Sequence, residues 1–107
     1  MKNVLFVCGR GRLRSPTAEQ MLAGRADLET ASAGISSDAD NPLTAELVEW
    51  ADEIFVMEKA HRTKLQKRFR PHLRSKRVVC LDIPDKYGFM DPALVRLLEL
   101  RLSWLLL

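Results

Sequence analysis

The chain has two cysteines and two histidines in 107 residues, and no apolar run long enough to cross a bilayer. Each scarcity excludes something. Cys8 and Cys80 show no paired spacing, which argues against a disulfide scaffold and suits a reducing compartment, so a cytoplasmic location is expected. His61 and His72 lack partners at metal-ligand spacing; both are expected at the surface, and neither a metal nor a cofactor is expected. The apolar run over residues 4–7 is too short for the core of a secretory leader, and no membrane contact is expected. Repeats and low-complexity tracts are missing as well. What remains is ordinary for a globular protein, with 47% apolar and 29% charged residues. The length suits a single domain over residues 1–107 with an adequate core.

The formal net charge of +3 conceals an asymmetry. Residues 61–77 carry Arg62, Lys64, Lys67, Arg68, Arg70, Arg74, Lys76 and Arg77 and no acid, so the rest of the chain is net negative. A run of this kind is ordinarily a solvated helix face; the alternative is a contact with nucleic acid or another polyanion.

Apolar patterning predicts four strands alternating with helices. Residues 3–8 form a continuous apolar run of the kind buried in a parallel sheet. Further strands are expected over 29–33, 53–57 and 77–81, and helices over 16–26, 42–50, 60–69 and 92–106. The helix over 42–50 places Leu43, Leu47 and Trp50 on one side, and the closing helix makes Leu105, Leu106 and Leu107 part of the core. The fold class is therefore α/β: one four-stranded parallel sheet with helices on both faces. Ligands in such folds lie beyond the carboxyl ends of the strands. Cys8 ends the first strand and Asp82 to Asp85 follow the fourth, so both belong to that edge.

The segment from Cys8 to Ser15 carries the chemistry. A strand ends on a thiol, a loop with Gly9 and Gly11 follows, and Arg14-Ser15-Pro16 opens a helix. A helix N-terminus presents unpaired N–H groups and partial positive charge, which favours a thiolate over a thiol. The loop Gly9-Arg10-Gly11-Arg12-Leu13 can turn its N–H groups inward as a nest for phosphate oxygens. Arg14 offers a planar fork for two of those oxygens. Ser15 can cap the helix or donate to the Cys8 sulfur. Cys80, inside an apolar strand, is expected to be inert core.

These residues resemble the low-molecular-weight protein tyrosine phosphatase family. The resemblance rests on Val4-Leu5-Phe6-Val7-Cys8, Arg14-Ser15-Pro16-Thr17-Ala18-Glu19 and Ala31-Ser32-Ala33-Gly34, then Asn41-Pro42, 51–57 and Asp85-Lys86-Tyr87-Gly88. It implies a phosphatase-type loop after the first strand, with Cys8 as nucleophile, Arg14 as phosphate ligand and an aspartate near the C-terminus as general acid. Asp85, before the Tyr-Gly pair, best fits that acid; Asp82 and Asp91 compete, Asp91 also reading as a helix cap. Tyr87 either lines the pocket or packs as a loop aromatic.

Three loop positions depart from the family pattern. Arg10, Gly11 and Leu13 stand where the resemblance implies a glycine, a bracing asparagine and a second cysteine. The chain is also shorter than typical members, mainly between 46–48 and Ala51, where one wall over an aromatic substrate is expected. The function expected is cysteine-dependent hydrolysis of phosphate monoesters, on phosphorylated protein or small aryl phosphates, through a phosphocysteine. Two alternatives stand beside it: a phosphodiesterase acting on cyclic nucleotides or RNA ends with the same loop, and a phosphate- or nucleic-acid-binding module without turnover.

Overall fold

A computed structural model describes residues 1–103. Four parallel strands, β1 (Lys2–Cys8), β2 (Leu28–Gly34), β3 (Glu53–Val56) and β4 (Arg77–Cys80), lie in the order β2-β1-β3-β4. Helices α1 (Arg14–Leu22), α2 (Ala45–Trp50), α3 (Lys59–Phe69) and α4 (Pro92–Leu102) connect or follow them, and a 3-10 turn over Arg70–His72 closes α3.

Alternation along the central strands splits the core in two. Val4, Phe6 and Cys8 of β1 and Phe55 of β3 face one way, and pack with Ala18 of α1 and Leu94, Leu98 and Leu102 of α4. Leu5, Val7, Ile54 and Val56 face the other way, against Val48 of α2 and Leu65 and Phe69 of α3. Both faces are thus covered, which is why residues 4–7 are apolar without a break.

The register brings the strand ends together: Cys8 lies opposite Gly34, Val7 opposite Val56, and Val56 opposite Cys80. The connection after β2 then locks onto the loop after β1. Ile35, Ser36 and Asp40 donate their N–H groups to the carbonyls of Cys8, Gly9 and Arg10 at 2.9, 2.8 and 3.3 Å.

Several boundaries and environments differ from expectation. Helix α1 begins at Arg14 rather than residue 16 and ends at Leu22, and α2 begins at Ala45 because Pro42 still bridges to Gly34. Ser15 is no cap: it sits inside the first turn of α1, whose N-cap position, Leu13, offers no side-chain acceptor. His61 is buried rather than at the surface, whereas His72 is half-exposed and bonds Glu49 at 3.0 Å. Cys80 is half-buried at the edge of its core cluster. Trp104 and the three terminal leucines assigned to the core lie outside the described residues.

Candidate active site

Cys8 is buried at the end of β1, and two groups meet its sulfur: the Ser15 hydroxyl at 3.0 Å and the Gly11 N–H at 3.2 Å. Both can donate to a thiolate. The bond from Gly11 requires the chain to double back within three residues, and Gly11 does so at φ +71°. A side chain there would also collide with the next strand, since a Cβ would lie 2.8 Å from the Gly34 nitrogen. Glycine therefore stands where the resemblance implied an asparagine, and the loop is braced from outside by the N–H groups of Ile35, Ser36 and Asp40. Those bonds hold the loop carbonyls of residues 8–10. Among the described residues, the N–H groups of Gly9, Arg10, Arg12, Leu13 and Arg14 have no protein acceptor, as in an anion nest.

Arg14 is 3% exposed and sits in the first turn of α1. Its Nη1 donates to Glu58 Oε2 at 2.6 Å and to the Ile83 carbonyl at 2.7 Å, which occupies both hydrogens on that nitrogen. Nε and Nη2 are left as a two-pronged donor edge, with Asp85 Oδ1 3.8 Å from Nε. The Arg14 bond draws the Glu58 carboxyl below the usual glutamate range.

Cys8, Gly9, Arg10, Arg12, Leu13, Arg14 and Asp85 line one open cavity of about 230 Å³. Of the three candidate aspartates, Asp85 is the one among the residues that line this cavity. Asp82 takes a left-handed turn, φ +59°, into a neighbouring cleft beside Glu58, Lys59 and Pro84. Asp91 caps α4 by accepting from the Ala93 N–H at 2.9 Å. Tyr87 packs against the apolar cluster of α1 and α4, with the Lys86 ammonium 5.6 Å from its ring centroid. The Arg10 and Arg12 side chains turn to the connection after β2, where Arg10 pairs with Asp38 and Arg12 makes a two-pronged contact with Asp40.

Three further residues complete the site. Thr17 Oγ1 donates to the Leu13 carbonyl at 2.6 Å and accepts from the Met90 N–H at 3.0 Å, tying the segment after Asp85 to the loop after β1. Glu58 holds Arg14, and His61 accepts the Glu58 N–H at Nδ1, 3.2 Å. The pattern Glu58-x-x-His61 directly after a strand was a readable helix-start signal, with histidine in the place of the usual Glu or Gln.

No protein-family model matches the chain, and no curated protein matches it in sequence. Solved structures do match. YwlE arginine phosphatase from Geobacillus stearothermophilus superposes with a TM-score of 0.78 at 23% identity, over 99% of this chain and 93% of that one. The tyrosine phosphatase AmsI from Erwinia amylovora gives 0.76 at 26%, over 95% and 89%. The low-molecular-weight protein tyrosine phosphatase SP-PTP from Streptococcus pyogenes gives 0.77 at 17%, over 100% and 95%.

Proposed function

From a chain with the fold of the low-molecular-weight protein tyrosine phosphatases, we propose a phosphatase that cleaves phosphate monoesters through a phosphocysteine. The observation that carries this reading is the meeting of the Cys8 sulfur, the free edge of Arg14 and the Asp85 carboxyl in one cavity. Solved neighbours named as arginine and tyrosine phosphatases support it.

In the first step the Cys8 thiolate attacks phosphorus. The P–O bond to the leaving group breaks, and Asp85 gives that oxygen its proton. Ser15 and Gly11 release the sulfur as donors to it while the S–P bond forms. Arg14 and the N–H groups of residues 9–14 spread the charge of the equatorial oxygens, and they hold that geometry beforehand. In the second step water attacks the phosphocysteine, Asp85 takes its proton, and phosphate leaves with the thiolate restored. No metal enters the scheme.

Phosphotyrosine and small aryl phosphates are to be compared with phosphoarginine, in which a P–N bond breaks and Asp85 would protonate nitrogen, because the solved neighbours are named for arginine and tyrosine chemistry. The phosphodiesterase alternative draws no support from those neighbours. Nucleic-acid contact through 61–77 remains to be tested by RNA binding against salt, since Arg68, Lys76 and Arg77 already bond within the protein. A cytoplasmic setting would keep Cys8 reduced.

The test is hydrolysis of an aryl phosphate and of 2′,3′-cyclic nucleotides without added metal, with Cys8→Ser beside the native protein. Monoester turnover lost in the variant supports the reading. Turnover confined to the cyclic diesters, or undiminished in Cys8→Ser, overturns it.

A further inference from the structure

We propose that His61 is a positioning residue whose neutral ring sets Glu58, and through it the phosphate-binding edge of Arg14. The inference rests on the phosphatase reading of the site. His61 stands one turn into α3 and is buried, although nothing in the cleavage scheme uses it. Its Nδ1 accepts the Glu58 N–H at 3.2 Å, which needs a lone pair on that nitrogen and so places the ring proton on Nε2. Nε2 lies 3.7 Å from Glu58 Oε2, the same oxygen that holds Arg14 at 2.6 Å. On its other side Nε2 is 3.7 Å from the point where a Gly9 side chain would begin, so the ring also abuts the phosphate loop.

The arrangement has one consistent protonation state. A neutral ring caps α3, leaves the Glu58 carboxylate to Arg14, and presents Nε2–H toward that carboxylate. A second proton would remove the acceptor for the Glu58 N–H and add a cation that competes with Arg14 for Glu58 Oε2. The charged groups acting on the ring are Glu58 at the N-cap of α3, Lys64 of α3, Arg14 of α1 and Asp85 of the segment after β4. Burial is the largest influence and lowers the affinity of the ring for that proton. In the neutral state both Nη1 hydrogens of Arg14 stay engaged and Nε and Nη2 stay aimed as a pair. In the charged state Glu58 is shared and that aim is lost.

The experiment uses the native protein, His61→Asn and His61→Ala, with inorganic phosphate as the probe. Asparagine offers Oδ1 in place of Nδ1 and does not titrate. Phosphate affinity by calorimetry should match between native protein and His61→Asn at pH 7.5. As the pH is lowered until the native ring takes up its second proton, followed through its 15N shifts, the asparagine variant should come to bind several-fold more tightly. His61→Ala, without an acceptor, should bind more weakly than native at pH 7.5, and that deficit should close as the native ring charges. Phosphate's own ionisation is common to all three proteins and cancels in the ratios. Long-range 1H–15N spectra, assigned by the signals missing from His61→Asn, should show His61 as the Nε2–H tautomer at pH 7, while His72, whose Nδ1 meets the Glu49 carboxylate, is the Nδ1–H tautomer. A ratio between native and His61→Asn that does not move as the ring charges overturns the proposal, as does an Nδ1–H ring at His61 or a His61→Ala protein that binds as tightly as native at pH 7.5. Absence of phosphate binding by the native protein would overturn the reading of the site itself.

Discussion

The two ends of the sheet solve opposite problems with the same kinds of residue. At the amino edge, Glu53 is buried and lies between Lys2 Nζ at 2.5 Å and Arg77 Nη1 at 3.1 Å, one carboxylate shared by two cations from neighbouring strands. Asn3 and Asp52 close the same edge, the Asn3 N–H donating to Asp52 Oδ2 at 2.7 Å. At the carboxyl edge the ratio is inverted. One buried cation, Arg14, faces Glu58 and Asp85, and only one of its nitrogens is fully engaged. At the amino edge the buried carboxylate is matched by a cation on either side. The carboxyl edge keeps a donor fork, an uncommitted set of amides and a thiol. Unfinished bonding at one end is chemically useful because bonding at the other end is finished.

Four substitutions or conditions would break that contrast. Cys8→Ser should cost about 10⁴-fold or more in turnover of an aryl phosphate while phosphate still binds, read by steady-state assay and calorimetry. Arg14→Lys keeps the charge but loses the two-pronged edge, and should lower kcat/KM by about 10²–10³-fold. Asp85→Asn should lower kcat by about 10²-fold, and more for poor leaving groups, as a series of phenyl phosphates would reveal. At the other end, Glu53→Gln should leave kcat within about twofold yet cost on the order of 1–3 kcal/mol in urea unfolding, because two cations lose their shared partner.

The smallest effect is one of pH. Burial holds the His61 ring below its ordinary value of 6.5, so the unfolded chain takes up a proton that the folded one refuses. Stability is therefore complete above that value and declines as pH falls from there toward the lower folded value. The Glu58 carboxyl, lowered from 4.5 chiefly by its bond to Arg14, adds a second loss below that value. Thermal unfolding of native protein and His61→Asn between pH 7.5 and 5 should differ by only a few degrees.

Much of this was legible from residue order. Residues 4–7 announced a doubly buried strand because both of its faces meet helices. Cys8, Arg14 and the glycines between them announced a cradle because its backbone geometry is local. The start of α2 was misplaced because Pro42, a plausible first residue of a helix, is held by a bridge to Gly34, while Thr44 caps with its hydroxyl. The partners of Arg14 were invisible because Glu58 and the Ile83 carbonyl lie 44 and 69 residues away, and a carbonyl has no letter in the sequence. His61 was misread for a related reason. Its partner is a backbone N–H, and its burial comes from elements that only the fold assembles.

The brace behind the loop has a consequence for how this protein could change. The N–H groups of Ile35, Ser36 and Asp40 shape the turn by gripping main-chain oxygens, and none of those bonds depends on which side chains the loop carries. Positions 10, 12 and 13 are therefore open to randomisation in a way that Gly11 and Gly34 are not. A library confined to those three positions would vary the rim of the cavity while the anion cradle beneath it is inherited unaltered, a separation that suits laboratory evolution of new leaving-group preferences.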